Sequence, residues 1–269
     1  MIINHNLNAM NAHRNLQANN IGQGKSSEKL SSGFKINRAA DDAAGLSISE
    51  KMRTQIRALN QAQSNAQDGV SLVQTAEGAM NEVSDMLSRM KELAVKAANG
   101  TYNGSDLSAI DSEFKSLSTA IDNIAKQTNF NGIKVLNSTT AVTIQIGDKG
   151  GDIVTVSLQD IQLTSLSISG GSLTTMATAS TALANIDTDI LKVNSARSAF
   201  GAAQNQLEHT FNNLGSTTEN LQAAESRIRD TDMAKEMMNY TKLNILQQAS
   251  TSMLAQANQG TQGVLQLLR

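Results

Sequence analysis

The sequence predicts a mainly α fold: an elongated antiparallel helical bundle or coiled-coil rod with one small β-hairpin region. Its N- and C-terminal helices are expected to pair as an inner domain. Three observations carry this. First, positions from Gly45 to Ala97, taken at alternating steps of three and four, give Gly45, Ile48, Met52, Gln55, Leu59, Ala62, Ala66, Gly69, Val73, Ala76, Met80, Val83, Leu87, Met90, Ala94 and Ala97. Only Gly45, Gln55 and Gly69 on that line are not apolar, and the spacing puts one side chain after another on a single helix seam. Second, the 269 residues contain no proline, so nothing interrupts a helix about 80 Å long at ~1.5 Å per residue. Third, there is no tryptophan and there are only two tyrosines and five phenylalanines, so apolar burial falls to Leu, Ile, Val, Met and Ala, which suit thin helical packing.

A first helical pattern covers residues 2–21, with Ile3, Leu7, Met10 and Ile21 on one line and Ala9, Ala12 and Leu16 beside it. It is interrupted by Arg14 and Gln17 and rich in Asn, so partners are expected to order it. Residues 22–44 turn Gly-, Ser- and charge-rich and read as a connector, helical around Ser26–Leu30; the first forty residues hold five basic side chains against one acidic. After the long helix, Asn99-Gly-Thr-Tyr-Asn-Gly104 is a breaker, and Ser105 is the expected N-cap of the next helix. That helix has the seam Leu107, Ile110, Phe114, Leu117, Ile121, Ile124 and Thr128 and ends at Asn129-Phe-Asn-Gly132.

The period then becomes two. Val142, Ile144 and Ile146, a turn at Gly147–Asp152, and Val154, Val156 and Leu158 predict a β-hairpin near 142–158. Residues 162–180, rich in Ser, Thr and Gly, read as surface loop. From Thr178 helical spacing returns through Leu183, Ile186, Ile190, Val193, Arg197, Phe200, Gln204, Leu207, Phe211, Leu214, Thr218 and Leu221. A charged hinge at Arg227–Asp232 precedes a last amphipathic segment carrying Met233, Met237, Tyr240, Leu243, Leu246, Met253 and Leu254 and ending in Val264-Leu-Gln-Leu-Leu-Arg269.

Several functions are disfavoured. With no cysteine, disulfides, thiol nucleophiles and thiolate metal sites are out. His5, His13 and His209 have no metal-ligand spacing, and no HExxH or GxSxG pattern occurs, so neither cofactor nor enzymatic chemistry is expected. Asp41 and Asp42 read as a solvated hinge or helix-start pair and not as catalytic carboxylates. A net charge of −2 gives no field for nucleic acid, and no apolar run is long enough for membrane insertion. The first residues lack a basic n-region and an apolar h-region, so an exported chain would leave by a route that reads something else. Each end carries a weak outer helix and a strong inner one, which makes self-assembly the natural expectation.

Four stretches give a resemblance: Met1-Ile-Ile-Asn-His-Asn6, Leu30-Ser-Ser-Gly-Phe-Lys-Ile-Asn-Arg-Ala-Ala-Asp-Asp-Ala-Ala-Gly-Leu-Ser-Ile-Ser49, Phe130-Asn-Gly-Ile-Lys-Val-Leu136 and Leu246-Gln-Gln-Ala-Ser-Thr-Ser-Met-Leu-Ala-Gln-Ala-Asn258. All resemble bacterial flagellin, in the family's order and over nearly the whole chain. Only residues 139–178 stand where many members carry large variable outer domains, so a minimal form is implied.

The resemblance implies a non-enzymatic subunit that polymerises helically into the hollow flagellar filament, secreted to the extracellular flagellum and used for motility. Residues 1–44 and 230–269 would be the inner, lumen-lining terminal-helix domain, and 45–229 the outer-tube helical domain with the hairpin. Implied partners are further copies of the chain, a flagellar type III export apparatus and export chaperone, filament cap and hook-junction proteins, and host Toll-like and cytosolic flagellin sensors. Arg89, Glu92, Leu93 and Glu113 match the family's surface for receptor and protofilament contact, with Arg89 and Leu93 expected to face outward. Met233, Met237, Leu243, Leu246, Val264, Leu265, Leu267 and Leu268 match its terminal packing and chaperone-contact residues. A hook–filament junction protein and a secreted adhesin or immune-modulating protein are the alternatives.

Overall fold

The computed structural model describes residues 6–267, and side chains as far as residue 260. The chain is mainly α, with helices α1 (Leu7–Ser32), α2 (Ala43–Ala97), α3 (Gly104–Gln127), α4 (Met176–Arg229) and α5 (Met233–Leu267). Two short antiparallel pairs, β1 (Asn129–Phe130) with β2 (Ile133–Lys134) and β3 (Val142–Gln145) with β4 (Ile153–Val156), lie between α3 and α4. The chain divides into two compact units. Unit 1 comprises Met1–Thr54 and Asn220–Arg269, and unit 2 comprises Gln55–Glu219, so α2 and α4 each contribute to both.

Helix ends follow local chemistry. α1 runs through the expected connector: Gly22 and Gly24 stay helical, and the helix stops at Gly33, whose positive φ of 75° lets its N–H donate to Lys29 O. Asp42 starts α2, its Oδ1 accepting the Gly45 N–H at 2.9 Å, while Asp41 Oδ2 accepts the Asn37 and Arg38 N–H groups of the preceding turn, so the acidic pair divides between helix start and turn. A Cβ on Gly45 would meet the Asp42 carboxylate and Ile36, so the cap requires glycine. Asn103, and not Ser105, caps α3; it forms a capping box with Asp106, which satisfies two backbone donors reciprocally.

Unit 2 holds the hydrophobic core. From Leu59 to Ala97 every residue of the α2 seam is buried. It meets Ile110, Phe114 and Ile121 of α3, and Ile186, Val193, Phe200 and Leu207 of α4, in one cluster. The expected hairpin forms with Val142 opposite Val156 and Ile144 opposite Val154, burying Ile144, Val154 and Val156. It docks where α2 has no side chain, since a Cβ on Gly69 would collide with Ile144 and crowd Leu207. The segment after α3 does more than end a helix. Asn131 and Gly132 both have positive φ, the requirement of a type I′ turn, and the tight β1–β2 pair feeds Val135 and Leu136 into the core.

Residues 162–180 are not a surface loop. Ile161, Leu166, Ile168 and Leu173 are buried, and the strap they form is fastened by helix carboxylates. The Ser167 and Ile168 N–H groups donate to the two oxygens of Asp189 at 2.9 and 3.1 Å, and Leu173 N–H donates to Asp111 Oδ1 at 2.7 Å. A strand-less segment has no ladder for its amides, so buried acceptors from α3 and α4 take that role. The Ser/Thr content obscured the apolar residues spaced through it.

Burial alone would raise the Asp111 pKa, but the Lys115 ammonium at 2.6 Å and the Leu173 N–H outweigh it and hold it below the ordinary carboxylate value. Such a group stabilises the fold above its unfolded pKa of about 3.9 and loses that contribution as pH falls through its lower folded value. Thermal melts should therefore show the midpoint falling once pH drops below about 4. Asp111→Asn should be less stable at pH 7 yet show a shallower acid slope.

Unit 1 is built differently. α1 and α5 pack along their lengths, α1 offering Ala9, Ala12, Leu16, Asn19 and Gln23, and α5 offering Tyr240, Leu243, Gln247, Ser250 and Leu254. Asn6 Nδ2 donates to Ala257 O and Asn19 Nδ2 to Ser250 Oγ, so part of this contact is polar. Gly22 allows the approach, a Cβ there meeting Leu243 at 3.3 Å. Of the two neighbouring lines of the α1 pattern, Leu7, Met10 and Ile21 are exposed, and Ala9, Ala12 and Leu16 make the contact.

At the turns, Lys35 N–H donates to Arg229 O and Thr231 N–H to Gly33 O around a Phe34–Asp230 bridge. The Arg229 guanidinium, 4.9 Å from the Phe34 ring, also holds Glu50. Arg229 thus joins the start of α2 to the end of α4 within the unit.

Candidate functional site

Two surfaces remain once the core is accounted for. On unit 2, Arg89 stands one turn before Glu92 on α2 and opposite Glu113 on α3. Its Nη2 and Nε reach Glu113 Oε1 at 2.9 and 3.1 Å, and its Nη1 reaches Glu92 Oε2 at 2.9 Å. Both carboxylates raise the guanidinium pKa further above its usual range, so the charge is permanent. The structure therefore brings Arg89, Glu92 and Glu113 together. It does not place Leu93 with them: Leu93 is 2 % exposed and belongs to the core, not to an outward face. With Leu72, Leu93 widens the buried side of α2 beyond the single seam, because a helix between two others needs a broader stripe.

An exposed ion-paired arginine contributes little to stability. Arg89→Ala should leave the unfolding midpoint unchanged and weaken any partner that docks on this face by at least about five-fold. Binding titration beside a thermal melt checks both halves.

Unit 1 has no core among the described residues: Ile36 is its one buried hydrophobic side chain. Met233, Met237 and Leu246 are exposed, whereas Leu243 lies against Gly22 of α1. Val264, Leu265, Leu267 and Leu268 lie outside the residues whose side chains are described. Met238, Ile245 and Met253 of α5, and Leu7, Met10 and Ile21 of α1, are exposed as well. Sequence reasoning treated α5 as amphipathic and passed over Met238 and Ile245. The adjacent pairs Met237-Met238 and Ile245-Leu246 are the available signal: at about 100° per residue they, with Tyr240 and Leu243, spread large apolar side chains around the helix and not along one stripe.

Stripe and exposed face are opposed. Met238 precedes Tyr240 by two residues and Ile245 follows Leu243 by two, about 200° around the helix in each case. A helix that is apolar on both sides is a helix meant to be buried on both. α1 covers one side; the other is free within the described chain. Among the described residues neither surface holds a cluster of metal-ligating side chains, and no helix is long and apolar enough to cross a membrane.

Comparison with known proteins gives this arrangement its context. Residues 3–141 match the model of the bacterial flagellin N-terminal helical region, and residues 183–268 match that of the C-terminal helical region. The chain is 54 % identical over 273 residues to a flagellin of Halalkalibacterium halodurans, and 47 % identical over 304 residues to a flagellin of Bacillus subtilis, with each chain covered in full. It is 46 % identical over 293 residues to the flagellar filament 33 kDa core protein of Treponema phagedenis, again over both whole chains. Among solved structures, Bacillus cereus flagellin matches at 40 % identity with a TM-score of 0.52, covering 60 % of this chain and 94 % of that one. Two helical regions matched in order, full-length relatives of nearly the same size and a short β-hairpin insert in place of large outer domains place the chain in the bacterial flagellin family, as a minimal, non-enzymatic structural subunit of the flagellar filament.

Proposed function

We propose that the free apolar face of unit 1 is closed by neighbouring copies of the chain, and that this closure drives helical assembly of the extracellular filament. The carrying observation is that unit 1, with α1 and α5 paired, buries one hydrophobic side chain among its described residues and exposes apolar residues on the far side of α5. Contacts between different patches of identical subunits do not close on themselves, so they propagate into a filament and not a dimer. Unit 1 is on this reading the lumen-lining inner tube and unit 2 the outer tube.

A unit without its own core is cheap to unfold. That supports export of the subunit in unfolded form through a flagellar type III apparatus, with an export chaperone covering the α5 face until release. Cap and hook-junction proteins would meet the same face at the two ends of the polymer. The Arg89–Glu92–Glu113 cluster is the surface on unit 2 for protofilament neighbours and for a host flagellin-sensing receptor. The C-terminal segment around Val264–Leu268 is assigned to lumen packing, chaperone contact and cytosolic sensing, in that order.

Assembly under graded salt, followed by electron microscopy and limited proteolysis, tests the central claim. Purified full-length chain should form long filaments, and cleavage sites in α1 and α5 should become at least about ten-fold more resistant on assembly. Short collars would mark a hook–filament junction protein. Filaments in which α1 and α5 stay as protease-sensitive as in the monomer would overturn the assignment of the closing face.

A further inference from the structure

We propose that the exposed methionines of unit 1 form an oxidant-sensitive modification site of the unassembled subunit, at which peroxide-class oxidants convert thioether to sulfoxide and stop subunit addition. This rests on the reading that neighbouring copies close the unit 1 face. The residues are Met10 of α1 and Met233, Met237, Met238 and Met253 of α5, all among the exposed large hydrophobic side chains. Met80 and Met90, in contrast, are fully buried in unit 2.

Three features make this more than incidental exposure. The chain has no cysteine, so no thiol competes for the oxidant and sulfur oxidation falls on methionine alone. Four of its eleven methionines lie on α5 and all four are exposed, where Leu or Ile would serve an apolar contact as well. Met238 shares that face with Ile245, seven residues on, at the place most removed from α1.

In the reaction the Sδ lone pair attacks one peroxide oxygen; the S–O bond forms as the O–O bond breaks. Sulfur is oxidised by two electrons, and the departing hydroxide takes the proton carried by the transferred oxygen and leaves as water, giving the neutral sulfoxide. The product is polar and chiral where assembly requires an apolar, flexible side chain. Burying its oxygen without a hydrogen-bond partner disfavours the subunit contact. Closure of the face by a neighbour removes the thioethers from solvent, so the finished polymer is protected while the free subunit is not. Reduction of sulfoxide to thioether restores the original surface.

The test uses the full-length chain and hydrogen peroxide, with peptide mass spectrometry and seeded elongation as readouts. In the monomer the five residues should oxidise at least about ten-fold faster than Met80 and Met90, and in preformed filaments their rate should fall by a similar factor. Elongation should be lost from oxidised subunits and return after treatment with methionine sulfoxide reductases A and B and dithiothreitol. A variant with all five replaced by Leu should elongate in peroxide, whereas Met176→Leu, at an exposed methionine of unit 2, should remain sensitive. If the five-fold variant does not assemble, reductase treatment of the wild-type chain decides: recovery supports the site, and no recovery once the sulfoxides are gone overturns it. Normal elongation of subunits carrying five sulfoxides sinks this proposal alone. A chain that makes no filaments before any treatment sinks the filament reading.

Discussion

Asp189→Ala should destabilise unit 2 by about 3–5 kcal/mol, the largest loss expected from any single polar side chain in the molecule. Asp189 is fully buried, and its two oxygens take the Ser167 and Ile168 amides. Lys192 Nζ lies 3.4 Å from one of them and also reaches Ser165 O at 3.2 Å, so the carboxylate is paired and its neighbour helps hold the strap. Alanine removes two charge-assisted bonds and leaves the amide of buried Ile168 with no acceptor, whereas that of exposed Ser167 can turn to solvent. Asn keeps the shape but offers only one acceptor oxygen, so Asp189→Asn should lose roughly half as much. Urea unfolding followed by circular dichroism measures the losses, and a new protease cut between residues 161 and 173 reports the freed strap. A loss below about 1 kcal/mol for the alanine variant would show that the strap is held by its apolar side chains and not by its amides.

The strap also shows what the chain reveals on reading and what it hides. The seams of α2, α3 and α4 were legible because each repeats over many turns and no proline breaks it; even Arg197 falls on its seam, half-buried between Val193 and Phe200. The β3–β4 hairpin was legible from alternation, though its register, Val142 opposite Val156 and Ile144 opposite Val154, was not. Asp111 and Asp189 were not, because an aspartate on a helix reads as solvated until a strap of unknown path needs its oxygens. Leu93 was misplaced for a related reason: a single 3/4 line describes a helix with one neighbour, and α2 has several. On α1 the pattern did not separate the line of Leu7, Met10 and Ile21 from that of Ala9, Ala12 and Leu16, and close approach to α5 at Gly22 selects the second. The small residues decide the distance, and the large ones are left for other partners.

Those leftover side chains give the sharpest expectation about function. Met238→Glu combined with Ile245→Glu should abolish filament formation while leaving the monomer nearly unchanged. The two residues are 67 % and 61 % exposed, so charge there is solvated in the free chain and should shift its stability by no more than about 0.5 kcal/mol. In the polymer, on the proposed arrangement, both carboxylates would enter an apolar contact without partners, which costs several kcal/mol per subunit. At about 1.4 kcal/mol per factor of ten, even 3 kcal/mol raises the critical concentration more than a hundred-fold. Met238→Leu with Ile245→Val keeps the surface apolar and should assemble like the parent, which separates polarity from mere change of sequence. Sedimentation of assembled material and circular dichroism of the monomer read the two effects independently. The asymmetry between them is the point: a side chain that contributes nothing to the fold of one copy, yet whose replacement destroys the polymer, can only be acting between copies. Filaments from the double glutamate variant at the parent's critical concentration would place the subunit contact on another face of unit 1, and would leave the exposed side of α5 without a structural role.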